Sequence, residues 1–300
     1  MSSATDSVHF LGLPESQRRF ETARAVVLCL PYEATTTYGQ GTREGPEAIV
    51  SASTQVELYD EELDLEPCEI GIATRRVPGP FSEEPERAVE EVAAACRDLL
   101  QARKFVVGLG GEHTVSVGLV KAYAAAFPGL CVLQLDAHSD LRESYNGSRF
   151  NHACVMARIQ ELCPFVGVGI RSSVQGERER LRDGSRLFYA VEMFDRPGWA
   201  EEAIASLEEP VYITIDLDFF DPSLVPSVGT PEPGGFQWHE TLRFLHKVVR
   251  EKRVVGFDVV ELSPRKGFPA SDFVAAKLVY KLLGYVFEKE LRFGENRKEA

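Results

Sequence analysis

The sequence lacks the features that mark membrane, secreted and nucleic-acid-binding proteins. It has no run of about 18 apolar residues, and the first residues, MSSATDSVHF, lack the basic and apolar regions of a signal peptide. Basic residues number 33 against 46 acidic ones, which gives a net charge of -13. Such a charge repels nucleic acid backbones and anionic lipid surfaces. We therefore expect a cytoplasmic protein that binds neither nucleic acid nor membranes.

Closely spaced cysteines are also lacking. The six cysteines include no CxxC pair, and most of them lie in apolar runs such as VVLCL. This distribution is typical of reduced core residues rather than of a disulfide framework or a thiolate metal site. Hydrophobic residues make up 44% of the chain and charged residues 26%, so the bulk of the chain is too apolar to be disordered.

Short β-branched runs alternate with longer amphipathic segments along the whole chain. This alternation predicts a parallel sheet covered by helices on both faces. The length alone suggests two domains of about 150 residues, but no linker or composition break interrupts the alternation. We therefore predict one doubly wound α/β domain over 1–300, with polar ends at about 1–8 and 293–300. The predicted strands are 25–30, 70–74, 105–108, 131–135, 164–168, 187–190, 211–215 and 253–258. The predicted helices are 84–102, 114–126, 152–160, 198–207, 238–250 and 271–288.

Acidic and histidine side chains follow three of the predicted strands. The run CVLQL continues directly into DAHSD at 136–140, and the run VYITI continues into DLD at 216–218. In an extended DxHxD segment, two carboxylates and an imidazole point the same way because side chains alternate with a period of two. The third run, FVVGL, ends in a glycine turn, GGEH at 110–113, which presents His113 just before a helix.

These side chains form a candidate metal site at the carboxyl edge of the sheet, where open parallel sheets bind ligands. Two imidazoles and four carboxylates without sulfur suit Mn(II) better than Zn(II) or an iron–sulfur cluster. Six ligands are too many for one tetrahedral zinc ion but fit two metal ions that share carboxylates. Each motif alone is more typical of a turn or a helix cap, but their convergence at one edge predicts a binuclear site. The six candidate ligands are His113, Asp136, His138, Asp140, Asp216 and Asp218.

Taken together, the motifs resemble those of the ureohydrolase family, which contains arginase and agmatinase. Beyond GGEHT, DAHSD and DLDFFDP, the resemblance includes GTREGP at 41–46, GTPEPGG at 229–235 and GFDVVE at 256–261, so it covers most of the chain. It implies a three-layer α/β/α fold around an eight-stranded parallel sheet and two Mn(II) ions per subunit. It also implies hydrolysis of a cationic guanidino compound to urea and an amine, by a homotrimer or homohexamer.

The resemblance also implies a role for each site residue. One metal ion would be bound by His113, Asp136, Asp140 and Asp216. The other would be bound by His138, Asp136, Asp216 and Asp218, so that Asp136 and Asp216 bridge the two ions. His152 would be the catalytic proton donor and Glu261 would bind the guanidinium group, with Thr230 also lining the substrate site, while Asp258 would orient a metal ligand. The remaining histidines, His9, His239 and His246, match nothing in the family pattern and are expected at the surface.

The residues that would select the substrate differ from those of arginases. Arginases carry an asparagine and an aspartate for the α-amino acid end of arginine, where this sequence has Arg142 and Val174. Neither residue can play that role, which argues against arginine. The TPEPGG stretch is agmatinase-like and favours agmatine, which would yield putrescine and urea, as in polyamine biosynthesis. A cation at Arg142 disfavours a distal ammonium and suits a carboxylate tail such as that of guanidinobutyrate, unless it points to solvent.

Two other classes remain as alternatives. A zinc deacetylase shares this sheet topology but uses one metal ion and a histidine pair, and no His-His occurs here. A non-enzymatic protein built on a ureohydrolase scaffold would not need its ligands, whereas all six of them and His152 are present. Two moles of metal per subunit would separate the predicted enzyme from a deacetylase.

Overall fold

The computed structural model describes residues 8–294. Most of the predicted polar ends at about 1–8 and 293–300 lies outside these described residues. The strands are β1 (Ala25–Leu30), β2 (Ile72–Arg76), β3 (Phe105–Gly110), β4 (Cys131–Leu135), β5 (Phe165–Ile170), β6 (Arg186–Tyr189), β7 (Val211–Asp216) and β8 (Val254–Val260). They form one sheet in the order β2-β1-β3-β8-β7-β4-β5-β6, and every pairing is parallel. The predicted eight-stranded parallel sheet is confirmed.

Helices connect the strands and cover both faces of the sheet. They are α1 (Glu15–Arg18), α2 (Gly45–Ser53), α3 (Pro85–Gln101), α4 (Val115–Ala126), α5 (Val155–Ile159), α6 (Ala190–Asp195), α7 (Trp199–Ala205), α8 (Trp238–Glu251) and α9 (Ala270–Phe293). The sequence-based prediction omitted α1, α2 and α6. It also extended α5 too far toward the amino terminus, because residues 152–154 form a 3-10 turn. None of the helices within residues 8–294 has the length and hydropathy needed to cross a bilayer.

The core is divided into two apolar layers by the sheet. Val27 and Val107 belong to one layer, packed with α2, α8 and α9, whereas their neighbours Val26 and Val106 belong to the other, packed with α3, α4 and α5. Because successive side chains of a strand point to opposite faces, strands buried on both sides must be apolar throughout. The α/β/α layering implied by the sequence is therefore confirmed. All six cysteines are free thiols, and five of them are buried.

The strand order brings the predicted site together. β7 lies between β4 and β8, and β8 also pairs with β3. Since all strands are parallel, their carboxyl ends meet at one edge, where the segments after β3, β4, β7 and β8 carry the candidate residues. The segment after β3 also approaches the segment after β1 so closely that it needs a glycine at Gly111, where a Cβ would lie only 2.0 Å from the carbonyl oxygen of Tyr32.

Candidate metal centre and substrate cavity

One cluster of candidate metal ligands surrounds the ring of His113. Its Nδ1 atom lies 3.1 Å from Asp140 Oδ2, 3.3 Å from Asp136 Oδ2 and 3.4 Å from Asp216 Oδ2. His113 is 1% exposed, and its Nδ1 atom has no hydrogen-bond partner. A buried imidazole nitrogen that faces three carboxylate oxygens at these distances fits a site for a metal ion.

A second cluster shares Asp136 with the first. His138 Nδ1 lies 2.8 Å from Asp218 Oδ2 and 3.7 Å from Asp136 Oδ1. The potential ligand atoms of Asp136, His138 and Asp218 lie within 4.8 Å of one another, as do those of His113, Asp136 and Asp140. Two groups with a common carboxylate are the arrangement that two neighbouring metal ions require.

The pKa values of Asp140, Asp216 and His113 reflect the crowding of carboxylates in the site. Burial and the charge of Asp136 raise the pKa of Asp140 to about 6. Burial and the charges of Asp218 and Asp136 raise the pKa of Asp216 well above its usual value. Burial opposes the charging of His113, but the neighbouring carboxylates raise the pKa of its imidazole well above the ordinary value. Protons are thus drawn to the place where cations would compensate the carboxylates.

The backbone conformation of Asp140 differs from the predicted extended one. The DxHxD segment is not extended throughout, because Asp140 has a φ of 51°. This left-handed conformation is uncommon for a residue other than glycine and is most accessible to aspartate and asparagine. It turns the Asp140 carboxylate back toward His113. The uncommon backbone conformation thus occurs at a candidate metal ligand.

The orientation of His113 depends on a hydrogen-bonded row of neighbouring strands. Thr214 on β7 donates its hydroxyl proton to Asp258 Oδ1 at 2.7 Å, and its oxygen lies 3.0 Å from His113 Nε2. Nε2 must therefore carry the proton, which leaves Nδ1 free for a metal ion. Asp258 acts on His113 through Thr214 and also accepts from Ser116 and Tyr212. Sequence reasoning singled out Asp258 but missed Thr214.

Asp136 has a further partner that the sequence reasoning missed. Gln134 Nε2 donates to Asp136 Oδ2 at 2.8 Å and to the carbonyl oxygen of His138 at 3.0 Å. The backbone N–H of His138 donates to Asp136 Oδ1 at 2.6 Å. Both polar strand residues, Gln134 and Thr214, occur inside apolar runs, and their register pairs them across β4 and β7. A buried polar residue within an otherwise apolar strand was the signal available in the sequence.

Glu261 lies at the same cavity as the two clusters. Its Oε1 atom accepts a hydrogen bond of 2.6 Å from the backbone N–H of His113, and its Oε2 atom lies beside Gly229. Burial and the charge of Glu112 raise the pKa of Glu261 to about 8. The residue is 8% exposed and has a φ of 66°. A buried carboxylate at a cavity wall is suited to a cationic ligand.

The remaining predicted residues line this cavity. His152 and Thr230 lie on its wall, as do Arg142 and Val174. Arg142 does not simply point to solvent, because its guanidinium stacks over the ring of Tyr145 at 4.3 Å.

Burial lowers the pKa of His152, while the charge of Glu112 opposes this effect.

Asp221 and His246 have partners outside the two ligand clusters. Asp221 of the DLDFFD motif accepts hydrogen bonds from the backbone N–H groups of Ser223, Gly234 and Gly235, which shapes a turn. His246 was expected at the surface, but it is only 22% exposed and its ring stacks on Tyr285 at 4.2 Å. The expectation for His246 was wrong because α8 and α9 pack against each other there.

Comparisons with known proteins agree with the geometry. The profile of the Arginase family matches residues 23–284. The chain is 43% identical to an N(1)-aminopropylagmatine ureohydrolase of Synechocystis sp. (92% of this chain, 93% of the relative), and 36% identical to an agmatinase of Pyrococcus horikoshii (86% and 90%). The crystal structure of agmatine ureohydrolase of Thermoplasma volcanium is similar, with a TM-score of 0.82 and 27% identity over 95% of this chain and 96% of that one. The predicted family and enzyme class are therefore confirmed: the chain belongs to the arginase family of ureohydrolases.

Proposed function

We propose that the protein is a binuclear Mn(II) hydrolase that cleaves a guanidino group to urea and an amine, and that the chain acts as one ureohydrolase domain in a homotrimer or homohexamer. The observation that carries the proposal is the pair of ligand clusters that share Asp136 at a cavity also lined by Glu261 and His152. A single-metal deacetylase would not need two such clusters.

The six predicted ligands fit two hard divalent ions, because the set contains only carboxylate oxygens and imidazole nitrogens. In the proposal, His113, Asp136, Asp140 and Asp216 hold one ion, and His138, Asp136, Asp216 and Asp218 hold the other. When bound, the ions supply a nucleophile from water at neutral pH and stabilise developing negative charge. Four carboxylates balance four positive charges, so the loaded site carries little uncompensated charge.

Glu261 and His152 perform the remaining tasks. A guanidinium carbon is a poor electrophile because its charge is spread over three nitrogens. Glu261 would fix the planar cation through charge-assisted hydrogen bonds and hold its carbon toward the ligand clusters. The departing amine leaves well only when protonated, and His152 would donate that proton.

The substrate proposed first is agmatine or its N-aminopropyl derivative. Relatives at 43% and 40% identity are N(1)-aminopropylagmatine ureohydrolases, and relatives at 36% and 34% are agmatinases. Val174 on the cavity wall cannot bind an α-amino group. Hydrolysis would yield putrescine or the corresponding triamine together with urea.

A guanidino acid is the second candidate, because Arg142 lines the cavity. Within the described residues its guanidinium has no carboxylate partner at ion-pair distance, and a tail such as that of guanidinobutyrate would supply one. If so, Arg142→Gln raises KM for guanidinobutyrate and leaves KM for agmatine unchanged or lower.

The test is urea release after Mn(II) loading, with agmatine, aminopropylagmatine, guanidinobutyrate, guanidinopropionate and arginine compared side by side. We expect the two cationic amines to be the best substrates and metal content to reach two ions per subunit. His152→Ala should keep the metal and lose about a hundredfold or more in kcat. One metal ion per subunit, or no urea from any of the five compounds, would contradict the proposal.

A further inference from the structure

The hydroxyl group of Thr35 lies between His152 and a buried carboxylate. Thr35 follows β1, and its Oγ1 atom is 3.2 Å from His152 Nδ1 and 3.0 Å from the backbone nitrogen of His152. The same oxygen is 2.6 Å from Glu112 Oε1. Glu112 precedes the candidate ligand His113, but the hydrogen bonds of its carboxylate come from Ala34, Thr35 and Thr114.

The direction of these hydrogen bonds follows from the surroundings of Glu112. The carboxylate is fully buried, and its Oε2 atom accepts from the backbone N–H groups of Ala34 and Thr35, both at 2.7 Å. Its Oε1 atom faces the hydroxyls of Thr35 and Thr114. Four donors around one carboxylate identify it as an acceptor only, so the single hydroxyl proton of Thr35 goes to Glu112.

The hydroxyl oxygen of Thr35 is then an acceptor for His152. It accepts from the backbone N–H of His152, and the contact with the ring requires that Nδ1 carry a proton. In the neutral ring Nε2 is therefore the unprotonated nitrogen, and in the charged ring Nε2 holds the proton that can leave. Because Nδ1 is engaged by Thr35, Nε2 is the ring nitrogen left for the cavity that His152 lines.

We propose that Thr35, held by Glu112, is a positioning residue that fixes the His152 ring with Nδ1 protonated and presents Nε2 to the leaving amine. The proposal rests on the proton-donating role of His152 in the proposed function. Burial of His152 disfavours its charged form, and the negative charge of Glu112, relayed by the Thr35 hydroxyl, favours it. The ring would thus be both oriented and able to hold a proton in a half-buried place.

The test compares Thr35→Val, which keeps the shape and removes the hydroxyl, with Thr35→Ser, which keeps the hydroxyl. Thr114→Val is the matched control, because it removes the other hydroxyl from the same oxygen of Glu112 without touching His152. We expect Thr35→Val to lower kcat by about tenfold to a hundredfold, since small misplacements of a catalytic group have effects of this size. Thr35→Ser and Thr114→Val should stay within about threefold of wild type, and KM and Mn content should not change in any of the three.

A double-mutant cycle shows whether Thr35 acts through His152. In the His152→Ala background, Thr35→Val should cause no further loss of kcat. A full additional loss would overturn the proposal, because Thr35 would then act on another group. Wild-type kcat in Thr35→Val would overturn it as well.

Nitrogen-15 NMR of the imidazole provides a readout that does not depend on activity. At a pH where the ring is neutral, the His152 signals, assigned by their loss in His152→Ala, should show a protonated Nδ1 in the metal-free wild type and in Thr35→Ser. Thr35→Val should show a mixture of tautomers. A protonated Nε2 in the wild type contradicts the inferred hydrogen bonds. If the wild type releases no urea, the proposed function fails, and the spectrum alone then decides whether Thr35 orients the ring.

Discussion

Two regions of the molecule bury carboxylates, and they differ in how the charge is compensated. Beside α9, Asp60 is fully buried and pairs with Lys281 at 2.9 Å. Lys281 also contacts Glu62 at 2.7 Å, and Tyr285 donates to the same carboxylate at 2.8 Å. At the carboxyl edge of the sheet, four aspartates crowd around two histidines, and within residues 8–294 no lysine or arginine side chain pairs with these aspartates.

The pKa of Glu62 shifts in the opposite direction to the pKa values of Asp140 and Asp216. Burial opposes the charging of Glu62, but hydrogen bonds from Lys281 and Tyr285 lower its pKa below the ordinary value. The pKa values of Asp140 and Asp216 are instead raised by burial and by neighbouring carboxylates. In the first region a lysine compensates the buried carboxylates, whereas the second has an excess of carboxylates that would suit cations from solution. We infer that Lys281 serves stability and that the sheet edge serves ligand binding.

The largest expected effect comes from removing the carboxylate that the two ligand clusters share. Asp136→Asn should lower urea release by about ten-thousandfold or more, because it weakens both ion sites at once. Bound metal should fall in parallel, as measured by elemental analysis after dialysis. Added Mn(II) at a hundred times Kd should stabilise wild type by about 2.7 kcal/mol, which is seen as a higher Tm. The Tm of the variant should not rise.

Asp221→Asn is the control for this prediction. Asp221 belongs to the same acidic motif as Asp216 but accepts turn N–H groups instead of facing the clusters. Its replacement should leave metal content at the wild-type level. Full urea release and full metal content in Asp136→Asn would remove the basis for a binuclear site.

The next effect falls on stability alone. Lys281→Met leaves Asp60 buried without its cation and should lower the free energy of unfolding by about 3–5 kcal/mol. This free energy is measured by unfolding with urea as the denaturant. The enzymatic release of urea and the metal content, both per folded protein and without denaturant, should not change. In Asp60→Asn/Lys281→Met, much of the stability should return because neither charge remains. Lys247→Met, at an exposed ion pair with Glu201, should cost at most about 1 kcal/mol. Equal losses in the two lysine variants would refute the assigned role of Lys281.

Much of the fold was predictable from the sequence because parallel strands buried on both faces are continuous apolar runs. The run VYITI is one of them, and β7 lies where the prediction placed it apart from one residue. Helix α2 was missed because it is short and begins with Gly45-Pro46, a pair typical of a turn, although proline in the first turn is also a helix start signal. Local sequence patterns cannot decide between these readings.

At the site, the sequence predicted the residues whose type and place at a strand end are distinctive, such as Asp136 and His138. It did not predict their neighbours. Thr35 and Glu112 are 77 positions apart in the chain and meet only because β1 and β3 are adjacent in the sheet. The left-handed backbone of Asp140 was also beyond a period-two pattern, since it depends on the surroundings that hold it.

The smallest expected effect concerns the hydrogen-bonded row, from Asp258 through Thr214, that orients His113. Thr214→Val removes the hydroxyl that accepts the Nε2 proton of His113, so the ring loses the contact that directs Nδ1 toward the carboxylates. Removing such a partner of a metal ligand typically weakens metal affinity by about ten- to a hundredfold. We expect a loss of this size in Mn(II) titrations, and a kcat close to wild type once metal is saturating.

Thr214→Ser is the matched control, because it keeps the hydroxyl between His113 and Asp258, and it should restore most of the affinity. If both variants bound Mn(II) as wild type does, the surrounding carboxylates alone would hold His113. The hydrogen bonds from Asp258 would then only stabilise the packing of β7 and β8. If affinity falls only in Thr214→Val, the sheet edge differs from the Lys281 region in a second way. Besides its excess of carboxylates, it would contain a hydrogen-bonded row that directs one imidazole nitrogen toward an ion from solution.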